Sequence, residues 1–338
     1  MQNFTFFLLL CLLAFGCQDN SADRINTEPV PAFSLSLTDN PELSYENLRL
    51  IPVIADEEFL DGQEVVANLK NLAEGMDISR FRITEHKPFG SREDREAVNL
   101  LTVQNKSRDT IFLMEGDVVE GGRQDRILAE DMVVPPRTIR NISVFCVEHG
   151  RWRYEGASEN SAPIAVNGHR EEQNRKIQAF TGYYNVAGNQ VRRVVNKTDN
   201  QQAVWQEVDA VHSAFNVSAP TKAYTGLETS EEFTRERNAY LNFFKEKFAD
   251  SENVIGITAV SGNKILGTDI FGHPNLFKKQ YKALIYSYVA EAMAEKNTEE
   301  TLSENKLNLY EKDLLYNFRN DKKAKFMWEG KTVHFVSL

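Results

Sequence analysis

The sequence predicts an α+β fold in which a strand-rich, sandwich-like antiparallel first half packs with a helix-rich second half. Three observations predict it. Short apolar runs separated by brief polar turns fill residues 48 to 147, and apolar residues at helical spacing dominate beyond residue 200. The two kinds of segment are segregated along the chain, which favours α+β over an alternating parallel fold. No internal repeat is visible.

The chain opens on Phe4 to Phe15, an apolar run of signal-peptide length and too short to span a bilayer, which needs about 20 residues. It ends at Gly16-Cys17, followed by the polar Gln18-Asp19-Asn20, the pattern of a bacterial lipoprotein processing site with Cys17 as the lipidated residue. Residues 1–17 are therefore read as the signal segment. Residues 18–44, polar and interrupted by Pro29, Pro31 and Pro41, are read as a flexible tether. A single α+β domain is expected over 45–338, strand-rich in 45–152 and helix-rich in 153–338. The location implied is the bacterial cell envelope, lipid-anchored at the outer membrane or cell surface, with the periplasm as second choice. The chain meets the membrane only through that lipid.

Within the domain, LRLIPVIA (Leu48 to Ala55) reads as the first buried strand. Residues Glu64 to Glu74 carry Val65, Leu69 and Leu72 at helical spacing, with Gly75 as C-cap. Strands follow at Ile78 to Thr84, Ala97 to Gln104, Thr110 to Met114, Asp131 to Val134 and Asn141 to Val147. Tyr154 to Lys176 is polar and irregular. Gln201 to Phe215 aligns Val204, Val208, Val211 and Phe215 on one helical face, and the next helix opens with a capping box at Thr229-Ser230-Glu231-Glu232. A hairpin turns at Ser261-Gly262-Asn263, and a helix runs from about Asn275 to Met293 with Leu276, Ile285, Tyr288 and Val289 inward. A last hairpin spans Lys325 to Leu338 and turns at Glu329-Gly330.

Composition narrows the function classes. With 338 residues and 41% hydrophobic content there is ample chain for a large core. A net charge of −10 excludes a nucleic-acid partner, which requires basic stripes. Cys11 falls in the signal segment and Cys17 takes lipid, so Cys146 alone remains and no intramolecular disulfide is possible. The six histidines are scattered without metal-ligand spacing; neither a metal nor a cofactor is expected.

Chemistry-bearing residues concentrate between Glu115 and Trp152. Gly121-Gly122 is either a tight hairpin or a nest for an anion, with Arg123 and Arg126 supplying charge. Gln124-Asp125-Arg126 offers an amide, an acid and a guanidinium, suited to a polar ligand or to a buried network between sheets. Cys146 lies in an apolar run and is expected to be buried and inert; His149 is the nearest base but points to the opposite strand face. Arg151 and Trp152 can grip an anion and stack on a ring, or form a structural corner. Glu115, Asp117, Asp125 and Glu148 are the candidate catalytic acids, with Glu115 and Asp117 on one strand face. Asp269 lies near the end of a hairpin strand outside the block, and sequence does not tell whether the two meet.

The segments GDVVEGGRQDR, VFCVEHGRW and GTDIFG resemble the family of ADP-ribosylglycohydrolase and rhodanese-phosphatase-superfamily-associated proteins. The resemblance covers about Leu43 to Met293, and GGRQDR and CVEHGRW are its specific parts. It implies a role around ADP-ribose, nucleotide or phosphate chemistry. Three readings compete. The first is a lipoprotein that binds a small anionic or nucleotide-like or sugar-like ligand at Gly121, Gly122, Arg123, Gln124, Asp125, Arg126, Arg151 and Trp152. The second is a hydrolase of an ADP-ribose, phosphate or glycosidic bond. The third is a scaffold whose polar block is a buried network; its protein partner is not identifiable from sequence.

Overall fold

A computed structural model of the chain describes residues 32–86, 98–151, 179–295 and 301–338. The signal segment, Cys17, most of the tether, Trp152 and the Tyr154 to Lys176 stretch lie outside these residues. Ala32–Leu338 forms one unit.

The fold is α+β, built around two antiparallel systems. The first is a seven-stranded sheet. Its core strands are β3 (Leu48–Ala55), β12 (Val254–Ser261), β13 (Lys264–Phe271) and β15 (Lys331–Ser337), paired in that order. β1 (Phe33–Leu35) and β14 (Lys325–Trp328) form its edges, and β2 (Ser44–Tyr45) pairs with β3. The sheet is apolar on both faces because both are covered. Helix α8 (Glu304–Asn320) lays Leu307, Leu314 and Phe318 against one face, and α7 (Pro274–Ala294) packs on the other. Every residue of β12 is buried, as a central strand covered on both sides requires.

The second system is a closed barrel in the order β10-β5-β4-β11-β7-β8. Its members are β4 (Phe81–Glu85), β5 (Leu100–Asn105), β7 (Asp117–Gly121), β8 (Arg126–Leu128), β10 (Thr138–Cys146) and β11 (Ala179–Val186). The small sheet of β6 (Ile111–Leu113) and β9 (Met132–Val134) stands beside it. Ile83, Leu101, Val103, Val119, Leu128, Ile142, Val144 and Phe180 belong to one buried cluster in this half. Closure removes the exposed edges an open sandwich would leave.

The structure departs from the sequence reading at identifiable places. The sandwich-like half is a barrel because β11, from beyond residue 153, inserts between β4 and β7. The helix-rich half supplies four strands of the large sheet around β3. The tether's last part is ordered: Phe33 is buried in β1 and pairs with Ala55. The helix expected over Glu64 to Glu74 is two helices, α2 (Glu64–Ala67) and α3 (Leu72–Met76). It breaks where Lys70 bridges to Ile111 and Asn71 starts a reciprocal capping box with Glu74. Gly75 is thus inside α3, held close to Ile111, and is no C-cap. Helix α6 (Glu231–Phe244) is capped one residue later than the expected box from Thr229 to Glu232: Ser230 is the N-cap and its side chain accepts from Phe233 N, so N3 is Phe233 and no reciprocal box forms. Among the longer helices two were not expected, α4 (Asn189–Lys197) and α8, whereas α5 (Gln201–Ala214) was. Glu57–Leu60 adds the short α1.

Candidate functional site

The GGRQDR segment closes the β7–β8 connection of the barrel and is folded inward. Gly121 and Gly122 both adopt positive φ, 126° and 53°. A Cβ on Gly122 would stand 2.6 Å from Glu85 Oε1 and from the Phe180 ring, so interior packing explains the paired glycine. Arg123 N donates to Glu85 Oε1 (3.0 Å), and the buried Arg126 pairs with the same oxygen at 3.5 Å. Gln124 Nε2 donates to Glu148 O (2.6 Å), and Asp125 N to Glu148 Oε2 (3.1 Å). Arg151 completes the set, bonding Glu148 through Nε (2.9 Å), Asp125 Oδ1 (3.1 Å) and Gly122 O (3.0 Å). Burial and the neighbouring Glu148 push the Asp125 carboxyl up, against donors from Gly121 and Thr225. The predicted ligand residues other than Trp152 are therefore brought together, but their polar groups are largely spent on one another. Cys146 is buried and its thiol is pushed up by that burial, while His149 stacks on Trp205 with centroids 4.2 Å apart.

This network reaches outward at one place. Thr225 Oγ1 donates to Asp125 Oδ2 (3.0 Å), Tyr224 N to Val147 O (2.8 Å), and Glu148 bridges to Ala223. These bonds fix the 3-10 turn Tyr224–Thr229, which carries Glu228.

Glu115 and Asp117 belong to a different cluster. It joins the barrel half to the large sheet and includes Asp269 together with Arg192, His334 and Asp131. Arg192 on α4 meets Asp269 with two bonds, 2.7 and 3.1 Å, and Gly116 (φ 92°) leaves the space that its side chain occupies. His334 bridges Asp131 Oδ2 (2.7 Å) and Asp269 Oδ1 (3.0 Å), and Tyr288 OH donates to Asp269. Burial would lift Asp269, but Arg192 and His334 outweigh it and hold its carboxyl well below the usual range. Burial would likewise lower His334, yet Asp131 and Asp269 raise it to about 10. Glu115 and Asp117 are raised to about 7, chiefly by burial. The Asp117 carboxylate accepts from Met114 N and Tyr183 OH, and Glu115 accepts from Asn196 at Oε2 while Oε1 is buried without a partner. Among the described residues no group of histidine, cysteine and acids is arranged to hold a metal ion.

A cavity of about 920 Å³ lies elsewhere, walled by the end of β11, the 3-10 turn, α6 and α7. Its apolar lining includes Leu241, Phe248, Ile285 and the Tyr281 and Tyr286 rings. Its charged lining is Arg237, Lys245, Lys278 and Lys282 against Glu228 and Glu246. Cations exceed carboxylates on a chain whose net charge is −10. Lys278 and Lys282 stand one turn apart on α7, and neither pairs with a carboxylate among the described residues. None of the sequence-predicted site residues lines this cavity. Its sequence signal is faint: lysines four apart opposite a buried helix face read as solvated surface until a second helix is placed beside them.

The description "ARG and Rhodanese-Phosphatase-superfamily-associated Protein domain" fits residues 37–336 of the chain. No curated protein and no solved structure matches. Among the described residues no helix is long and apolar enough to cross a membrane.

Proposed function

The chain belongs to the ARG and rhodanese-phosphatase-superfamily-associated protein domain family, whose function is uncharacterised, and on that premise we propose that it is an envelope lipoprotein binding a small organic anion in the α6–α7 cavity. The observation that carries this reading is the excess of cations lining the cavity on a strongly acidic chain. Low-dielectric walls focus such a charge and raise the local concentration of anions. The cavity's volume falls in the range of about 300–1,000 Å³ typical of small-molecule sites. The GGRQDR and CVEHGRW segments serve it indirectly, through the bonds from Asp125 and Val147 that set the Glu228 turn. Attachment through Cys17 holds the domain at the envelope, and incorporation of a labelled fatty acid should vanish in Cys17→Ser; label retained by that variant contradicts attachment there.

Melting of the full chain in detergent, followed by tryptophan fluorescence, tests the binding reading against nucleotides, ADP-ribose, sugar phosphates and pyrophosphate. An anion at about 100 times its dissociation constant should stabilise the chain by about 2.7 kcal/mol. That shift should disappear in Lys278→Glu/Lys282→Glu and persist in Arg123→Ala. Loss in Arg123→Ala with retention in the lysine variant would return the site to the GGRQDR loop.

The hydrolase reading has one observation in its favour, the Glu115 carboxyl near 7, where a general acid is effective. Glu115 does not line the cavity, so binding without turnover is the simpler function.

A further inference from the structure

Resting on the reading of the cavity as an anion site, we infer that Glu228 is its specificity residue and selects a hydroxyl-bearing phosphate, a sugar phosphate or ribonucleotide, over a bare anion. Two tyrosine hydroxyls, in hydrogen-bond contact with each other, and Arg237 converge on this carboxylate, all at the same oxygen. Tyr184 OH reaches Oε1 at 2.5 Å, Tyr286 OH at 3.0 Å, and Arg237 forms an ion pair with that oxygen. Arg237 is itself held in place, donating to Asn238 Oδ1 at 3.0 and 3.2 Å and resting against the Phe233 and Tyr286 rings. The other oxygen, Oε2, accepts a hydrogen bond from none of the described residues. The carboxylate is 34% exposed and lines the cavity.

An ionised carboxylate only accepts hydrogen bonds, so a ligand must bring a donor to Oε2. Burial pushes this group up, but the bonds from Arg237 and Tyr184 outweigh burial and hold it below the usual carboxylate range, so it is charged at neutral pH. A phosphate placed against it would be repelled, whereas a sugar hydroxyl forms a charge-assisted bond. Phosphate belongs with Lys278 and Lys282 on α7, a different wall from the 3-10 turn that carries Glu228. The lining thus asks for one molecule with an anionic end and a hydroxylated part. The exposed Asn238 and Asn242, one turn apart on α6, add amides suited to further hydroxyls. At about 920 Å³ the space far exceeds an inorganic ion.

Titration calorimetry on the full chain in detergent, with ribose 5-phosphate, 2-deoxyribose 5-phosphate and inorganic phosphate, tests the inference. Ribose 5-phosphate and 2-deoxyribose 5-phosphate, which both carry hydroxyls, should each bind at least about tenfold tighter than inorganic phosphate, the size of one hydrogen bond to a charged group. Glu228→Gln, which keeps the shape, should weaken both sugar phosphates about tenfold and leave inorganic phosphate unchanged. Equal affinities in the parent, unchanged by Glu228→Gln, overturn the role of Glu228 and leave anion binding intact. No binding by any of the three, in parent and in Lys278→Glu alike, overturns both.

Discussion

At the scale of single residues, the buried charges between the barrel and the large sheet govern how stability varies with pH. Glu115 and Asp117 sit near 7 in the folded chain, while unfolded carboxyls titrate near about 4, so the folded state holds extra protons between those values. Stability from this source is complete below about pH 4 and is lost as pH rises through 7. His334, lifted to about 10, adds stability that is complete below about pH 6.5 and lost as pH rises through 10. Asp269 works in the opposite sense, but its carboxyl is held so low that its contribution fades only in strong acid. The full chain should therefore melt at a lower temperature at pH 8 than at pH 5. Glu115→Gln should recover up to about 3 kcal/mol at pH 8 and little at pH 5, read from melts at both values; an unchanged pH slope contradicts the assignment. The sequence suggested Glu115, Asp117 and Asp269 because acids at a strand end invite attention. Arg192 and His334, the partners of Asp269, were not legible, since bonds spanning 77 and 65 residues leave no local pattern.

At the scale of elements, legibility followed the strength of local signals. The β3 strand was readable to its ends because Leu48–Ala55 is apolar apart from Arg49 and lies between polar residues. The last hairpin was readable through its turn, where Glu329 and Gly330 take φ of 50° and 76°. Helix α8 was missed because only Leu307, Leu314 and Phe318 are buried along its 17 residues, a narrow stripe in a polar sequence. Helix α4 is short, valine-rich and entered from Gly188 without a side-chain cap, so neither propensity nor capping announces it. Strand β11 carries two register shifts against β7 and no clean alternation of burial, so no strand period was there to read. The strand and turn signals of the GGRQDR block were real. What they announced was a packed β7–β8 connection, where a Cβ at Gly122 meets Glu85 and Phe180.

At the scale of the whole molecule, an acidic chain frames a cavity of about 920 Å³ lined with an excess of lysine and arginine, and the block richest in polar residues braces its wall. The α+β class was legible because strands and helices were segregated in sequence. Their assembly was not, because β3 pairs with β12 across two hundred residues and the two helices that face each other over the cavity belong to separate segments. The ligand site proposed for this molecule is the α6–α7 cavity, not the glycine-rich connection. The most direct test is a crystal structure of the chain with a bound sugar phosphate. Ligand density is expected between Glu228 and the Lys278 and Lys282 side chains, and density at Gly121 to Arg126 with an empty cavity would contradict that placement.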